Sequence, residues 1–140
     1  MNTKRLIMAI LVGFVFVFAT DFVIHGVWMK PDYAATKDLW RTESEMQARF
    51  PWMLGGQFLA GAMFVILWAF GFAERGSLRC AAMYGLMMGF FSQAQTLIMY
   101  VVSPLPPELA VKWFLCGLAQ GVLLGVITAL VYKPAASAGK

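Results

Sequence analysis

Asp21 and His25 are the residues whose types and spacing in this sequence could do chemistry. Both lie in a long apolar stretch, and because they are four positions apart they would share one face of an α-helix. An ionisable side chain inside an apolar span is costly and is by default a functional-site hypothesis. As a hydrogen-bonded or ionic pair, the two could hold a proton at physiological pH. The alternative is a structural pair that fastens this helix to its neighbours.

Glutamine side chains occur at a comparable depth in the other apolar stretches. If these stretches are helices of one bundle, their amides would meet Asp21 and His25 in a single layer. Gln93 and Gln95 are two positions apart, so only one of them can face inward. We therefore expect an outward-opening polar cavity that binds a small polar ligand or a cation. Its predicted lining is Asp21, His25, Gln57, one of Gln93 and Gln95, and Gln120.

Metal and haem chemistry have little support in the sequence. Zinc takes three or four protein ligands, whereas Asp21 and His25 supply two. A single histidine cannot form a bis-histidine haem site in a monomer, although Met29 or Met99 could be a second axial ligand, or a dimer could supply it. The sequence contains no nucleophile-elbow, Walker or dinucleotide motif. We predict that the chain is not an enzyme and has no metal site, and its cofactor stays unknown.

The composition indicates an integral membrane protein. Of the 140 residues, 61% are hydrophobic and 13% are charged, whereas soluble domains carry about a quarter charged residues. A soluble fold of this size could not bury so much apolar surface. The basic residues behind the net charge of +4 are scattered singly and form no stripe, which argues against a nucleic-acid partner. The expected partner is the lipid bilayer.

Four apolar runs are each long enough to cross a bilayer, which takes about 20 residues. Because lipid offers the backbone no hydrogen bonds, spans this apolar must be helices. Proline-containing or charged segments separate them, at 30–32, 74–77 and 103–107. We predict an all-α integral membrane four-helix bundle, formed by residues 1–140 as one transmembrane domain. The predicted spans are about 6–29, 52–72, 80–102 and 109–132, with an outer loop at about 30–51.

The positive charges predict the topology, because lysine and arginine favour the cytoplasmic side. With the N-terminus inside, that side would hold six of them and the outer side five. The bias is weak, but the short amino-terminal, 74–79 and carboxy-terminal segments are all basic. We predict a multi-pass protein of the inner (plasma) membrane with both termini cytoplasmic. The charges on that side are Lys4, Arg5, Arg75, Arg79, Lys133 and Lys140.

The first apolar run could instead be a cleaved signal peptide. Lys4 and Arg5 would form its charged region, and residues 17–19 are an acceptable cleavage site. The run continues to Trp28, however, which is longer than the hydrophobic region of a signal peptide. The length therefore favours a retained membrane anchor.

The segment 30–51 is the longest polar stretch of the chain. Asp32 could cap a helix there, and residues 34–40 are compatible with a helix. Apolar side chains such as Tyr33 and Trp40 alternate with charges, which is typical of a short helix on the membrane surface. A solvated loop with incidental aromatic residues is an equal alternative.

Two patterns predict how the spans pack. The second and fourth spans resemble each other at a fixed offset, which predicts two parallel helical hairpin repeats, although apolar helices often match by chance. Glycine and alanine ridges would let helices approach closely, either within the bundle or across a homodimer. The ridges are Gly117 with Gly121 and Gly125, Gly85 with Gly89, and Gly56 with Ala60.

Several short motifs resemble those of small bacterial inner-membrane proteins, in outline the uncharacterised four-helix family DUF1761. The motifs lie at 21–31, 39–41, 50–52 and 130–134. The resemblance covers most of the chain and implies a four-helix membrane protein. It implies no activity and no site residues.

A partial likeness to small multidrug transporters rests on Asp21. Those four-helix proteins carry one acidic residue in the first span, and the likeness implies proton-coupled export with Asp21 in that role. The usual residue there is glutamate, and the long charged segment 30–51 also departs from their pattern.

Three classes of function remain open from the sequence. The first is a ligand- or ion-binding membrane protein centred on Asp21 and His25, which includes a small proton-coupled transporter. The second is an accessory or assembly subunit of a larger membrane complex, in which the polar residues only hold helices together. The third is a haem-containing redox subunit.

Overall fold

The computed structural model describes residues 2–133, so Pro134 and Lys140, which the sequence predictions used, lie outside the described part. Within it, every regular element is a helix. Four helical segments are long and apolar enough to cross a membrane, and the predicted all-α four-helix fold is confirmed. These spans are Thr3–Trp28, Phe50–Gly71, Leu78–Val102 and Pro107–Val131.

The first span changes its helical pitch at Asp21. It begins as α1, Thr3–Asp21, with the Asn2 side chain accepting from the Arg5 backbone N–H. It then continues without interruption as a π-helix, Phe22–Trp28. π-Helical turns are rare and occur frequently at functional sites. The side chains that follow Asp21 therefore do not occupy the positions that a regular α-helix would give them.

The segment after the first span is a chain of short helices rather than an open loop. They are α2, Lys30–Ala35, a 3₁₀ turn, Lys37–Leu39, and α3, Glu43–Ala48. Thr42 caps α3 in a reciprocal capping box with Glu45. The expectation of an Asp32 cap was wrong.

Asp32 does not cap α2 because of its position in that helix. Met29 is the N-cap of α2, and Asp32 lies inside its first turn. The Asp32 carboxylate does not satisfy a helix end and instead pairs with Lys112 of the last span. The predicted helix over 34–40 is also shorter than expected, because α2 ends at Ala35.

Tight turns connect the remaining spans. Helix α4, Phe50–Gly71, is followed by a 3₁₀ turn, Ala73–Arg75, and by Gly76, which adopts a left-handed φ of 55°. Helix α5, Leu78–Val102, begins behind a Ser77 cap, and helix α6, Pro107–Val131, begins with a proline. Proline suits this first position because its missing N–H would have no helical partner there.

Two clusters of buried residues mark the two ends of an antiparallel bundle. Near the 3₁₀ turn after α4, which we call the turn end, Ala73 and Ala81 pack with Trp68, Tyr84 and Tyr132. At the opposite end, which we call the loop end, Met29 packs with Leu105 and Leu109. The chain therefore runs up, down, up and down between these ends. The segment 30–49 covers the loop end.

Glycines set the contact between α5 and α6. A Cβ atom on Gly85 would collide with the backbone of Gly121, and one on Gly125 would collide with the carbonyl of Ala81. These two predicted ridges therefore pack within the bundle. The third does not pack in the described part of the chain, since a Cβ on Gly56 would meet no atom within 4 Å.

The outward faces of the spans are apolar. Phe70, Phe91 and Val101 are 74%, 79% and 82% exposed. Such a surface suits contact with lipid. Helix α1 packs on α4, and α5 packs on α6; the parallel repeat of these two hairpins stays a prediction.

Candidate functional site

Asp21 stands at the junction of α1 and the π-helix, between glutamines of two other spans. Gln57 in α4 donates from Nε2 to Oδ2 of Asp21 at 2.6 Å, and Gln120 in α6 donates from Nε2 to Oδ1 at 2.8 Å. Each carboxylate oxygen thus accepts from one amide. In the described part of the chain no lysine, arginine or histidine forms an ion pair with Asp21. The amides orient the carboxyl group and, being neutral, bring no positive charge to it.

Thr20 is a partner that sequence reasoning missed. The same Gln120 Nε2 group also donates to the Thr20 hydroxyl at 2.6 Å, while that hydroxyl donates to the Phe16 carbonyl at 2.8 Å. The Thr20 proton is therefore used along its own helix, and its oxygen accepts from α6. The sequence feature that could have identified Thr20 is its hydroxyl, which directly precedes Asp21 in an otherwise apolar run.

A cavity of about 250 Å³ opens beside Asp21, between the first span, α5 and α6. The structure brings four of the predicted side chains to it: Asp21, His25, Gln93 and Gln120. Gln57 contacts Asp21 but is not part of the wall. The remaining wall residues, which the sequence did not single out, are Ile24, Thr96, Trp113, Cys116 and Gly117.

Gln93, and not Gln95, is the glutamine of α5 that faces the cavity. The Thr96 hydroxyl donates to Oε1 of Gln93 at 2.6 Å. The Gln93 side chain lies directly against Gly117, where any Cβ atom would collide with it. Gln95 is exposed, because two positions along an α-helix are rotated by about 200°. Gln95 is therefore not part of this constellation.

Asp21 and His25 do not form the direct pair that their spacing predicted. Nδ1 of His25 lies 2.6 Å from the hydroxyl of Tyr33 in α2. Both Asp21 oxygens are occupied by glutamine amides. The physical reasons are the pitch change at Asp21 and these competing donors. The two residues share the cavity wall instead of a hydrogen bond.

An aromatic cluster closes the wall at the loop end. Tyr33 contacts Trp40 with ring centroids 5.4 Å apart, and Trp40 contacts Trp113 at 6.0 Å. The ring of His25 packs edge-on against Trp113 at 6.3 Å. The Trp113 indole N–H donates to the Tyr33 hydroxyl at 2.9 Å. These four rings, which we call the aromatic cluster, join the short helices of the segment 30–49 to α6.

Burial raises the pKa of the Tyr33 phenol, and the hydrogen bond from Trp113 opposes that shift without reversing it. Tyrosine ionises near pH 10 when unperturbed. The phenol therefore keeps its proton throughout the physiological range and stays able to donate it to His25.

An ion pair ties the same segment to α6. Nζ of Lys112 lies 2.8 Å from both carboxylate oxygens of Asp32 and 5.6 Å from the centroid of the Trp28 ring. Both charged side chains are about one-third exposed. The pair fixes α2, and with it Tyr33, over the loop end of the cavity.

The candidate haem ligands of the sequence analysis lie in different surroundings. Met29 is fully buried, with its sulfur 3.8 Å from the Tyr33 hydroxyl, while Met99 is 37% exposed. In residues 2–133, no group of three or more histidine, cysteine, aspartate or glutamate side chains could hold a metal ion.

Comparisons of the chain with protein-family models, with curated proteins and with solved structures find no match.

Proposed function

We propose that this chain is a multi-pass membrane protein that binds a small cation in the cavity at Asp21. The observation that carries the proposal is an acidic side chain on the cavity wall that forms no ion pair in the described part of the chain. The Asp21 carboxylate lines the cavity, and the described side chains that hydrogen-bond to it are neutral amides. An entering cation would meet a carboxylate that is already oriented and still charged.

The surroundings strengthen this attraction. Opposite charges interact more strongly in a low-dielectric interior than in water, and an ionised carboxylate inside a membrane span is costly without a partner. A bound cation or a proton would remove that cost. Both would use the same two oxygens, so we expect protons and cations to compete.

The remaining walls suit an organic cation of modest size. The cavity measures about 250 Å³, which is below the usual range of roughly 300–1,000 Å³ for drug-sized ligands. Trp113 supplies an aromatic ring to the wall, and aromatic faces attract ammonium groups. The amides of Gln93 and Gln120 add polar contacts without adding charge.

Thermal unfolding of the detergent-purified protein tests the proposal with sodium, potassium, propylamine and tetramethylammonium. We expect at least one of these cations to raise the unfolding midpoint saturably. The free energy of unfolding should rise by about 2.7 kcal/mol when the cation concentration is a hundred times Kd. Asp21→Asn should remove the effect. The exposed control Asp38→Asn should keep it. Cation stabilisation that survives Asp21→Asn, or none in the wild type, would contradict the proposal.

An accessory or assembly subunit is the second candidate, and one observation favours it. Gln57 and Gln120 reach Asp21 from two other helices, as expected of polar groups that hold a bundle together. The stability of Asp21→Asn between about pH 5 and pH 8 separates the candidates. A variant that is badly destabilised at every pH supports the structural role. A variant as stable as the wild type supports a carboxylate kept for binding.

A small proton-coupled transporter would need movement in addition to binding. The feature that favours it is the shared use of Asp21 by a cation and a proton. Proteoliposomes that hold a pH gradient should then accumulate the bound cation, and Asp21→Asn proteoliposomes should not. Binding without accumulation would indicate a protein that binds the cation but does not transport it.

We also propose that both termini are cytoplasmic and that the loop end faces outward from the inner membrane. The proposal is supported by Lys4, Arg5 and Arg79, which follow the positive-inside tendency when the turn end is cytoplasmic. In a variant lacking Cys80 and Cys116, a cysteine introduced at position 44 should react with an impermeant thiol reagent in intact cells. A cysteine at position 77 should not. The reverse labelling pattern would invert the topology.

A further inference from the structure

Neighbouring hydroxyls decide which atoms two side chains of the cavity can offer a ligand. For Gln93, the Thr96 hydroxyl donates to Oε1. The carbonyl end of the amide is thereby used, and its Nε2 group makes no hydrogen bond in the part of the chain that the structure describes. Gln93 therefore contributes N–H donors to the cavity.

The Tyr33 hydroxyl likewise determines which nitrogen of His25 carries the proton. The Trp113 indole can only donate, so the Tyr33 hydroxyl accepts from it. The single Tyr33 proton then has two acceptors, Nδ1 of His25 at 2.6 Å and the sulfur of Met29 at 3.8 Å. A thioether is a weak acceptor, so the proton points to Nδ1. Neutral His25 must carry its own proton on Nε2, which is a donor.

We infer that the ligand of this cavity is a small monocation that also carries a neutral hydrogen-bond acceptor, such as a hydroxyl or carbonyl oxygen. Its ammonium end contacts Asp21, and its acceptor end takes the N–H groups of Gln93 and His25. This inference rests on the proposed function and specifies the ligand class of the same site.

Size and charge narrow the class further. A cavity of about 250 Å³ corresponds to about eight water molecules at their liquid volume. The ligand is therefore a compact amine with few heavy atoms. Asp21 is the charged residue of the lining, so a monocation neutralises the site. An anionic acceptor end would be repelled by the carboxylate, which excludes zwitterions and phosphate esters.

Ethanolamine and propylamine test the inference, because they differ only by a hydroxyl in place of a methyl group. Titration calorimetry on the detergent-purified wild type should find ethanolamine about tenfold tighter, as expected for one additional hydrogen bond. O-Phosphoethanolamine carries the same amine on an anionic ester, as a lipid headgroup does, and should bind at least tenfold more weakly than ethanolamine. Equal binding of ethanolamine and propylamine, or tight binding of the phosphate ester, would overturn the inference.

Variants separate this inference from the proposed function. Gln93→Leu should reduce the preference for ethanolamine over propylamine, since one of the two donors is lost while His25 and Asp21 remain. Thr96→Val removes the hydroxyl that positions Gln93. It should reduce the preference for ethanolamine over propylamine, while both amines should still bind. Asp21→Asn should lose both amines, and the exposed control Gln95→Leu should behave as the wild type. If Asp21→Asn abolishes binding but the wild type shows no preference, the cation site stands and the ligand class is wrong. If neither amine binds the wild type, the ligand class is wrong, and the cation site is wrong as well if sodium, potassium and tetramethylammonium also fail to stabilise the protein.

Discussion

The amide nitrogen of Gln120 lies 2.8 Å from Oδ1 of Asp21 and 2.6 Å from the hydroxyl of Thr20. One side chain of the last span thus holds two adjacent residues of the first. A hydrogen bond to an ionised carboxylate belongs to the stronger class. Gln120 links the wall of the cavity to the packing of the bundle, so the proposed binding site and the stability of the bundle share a residue.

Gln120→Leu should destabilise the protein by about 1–3 kcal/mol, because a charged acceptor and a hydroxyl would both lose their donor. Thermal or denaturant unfolding in one detergent measures the change. Gln95→Leu is the matched control, since the same side chain at that exposed position should shift stability by about 0.5 kcal/mol or less. Equal losses of stability in the two variants would mean that the hydrogen bonds of Gln120 do not stabilise the bundle.

Gly85→Ala should weaken the contact between α5 and α6. The added methyl group would collide with the backbone of Gly121, which cannot rotate away as a side chain could. We expect a loss of about 1–3 kcal/mol, as is typical of overpacking. Gly56→Ala adds the same methyl group where no atom lies within 4 Å and should leave stability unchanged or slightly raised. Comparable losses in both would point to a general effect of alanine.

Lys112→Gln should loosen the segment 30–49 from the last span. The ion pair with Asp32 is partly exposed, so we expect a loss of about 1 kcal/mol or less. The loss should shrink at high salt because screening weakens the pair in the wild type. Arg41→Gln is the control, since its contact with Glu45 is longer, at 3.9 Å, and more exposed. A salt-independent loss at Lys112 would assign the effect to its packing on Trp28.

The cap of α3 should depend on pH. Hydrogen bonds from the side chain and the backbone of Thr42 lower the pKa of Glu45 below its ordinary value of 4.5. A lowered carboxylate pKa means that the stabilisation is present above pH 4.5 and is lost as the pH falls through the lowered value. Hydrogen exchange of the α3 amides in Thr42→Ala should therefore be faster than wild type at neutral pH, and the difference should shrink at acid pH, where the bond from the Glu45 N–H to the Thr42 hydroxyl is the part of the cap that does not titrate. Thr42→Ser should exchange like the wild type, and a pH-independent difference would remove Glu45 from the cap.

The sequence predicted what local chemistry controls. The number of spans and their approximate ends follow from the length of apolar runs and from prolines and charges, and these act within a few residues. It also predicted a common interior layer, because polar side chains in apolar helices avoid lipid. The residues of that layer were Asp21, His25, Gln57, Gln120 and one of Gln93 and Gln95.

The tertiary structure decided which atoms meet. The choice of Gln93 over Gln95 depends on how α5 turns toward α6, and the π-helix after Asp21 separates it from His25. His25 contacts Tyr33 and Trp113, and Asp32 pairs with Lys112. The contacts made by Tyr33 and Asp32 form only when the segment 30–49 folds over the bundle. The contacts of Lys112 with Asp32 and of Trp113 with Tyr33 each join residues 80 positions apart. Their formation depends on packing between helices, and no pattern of neighbouring residues records it.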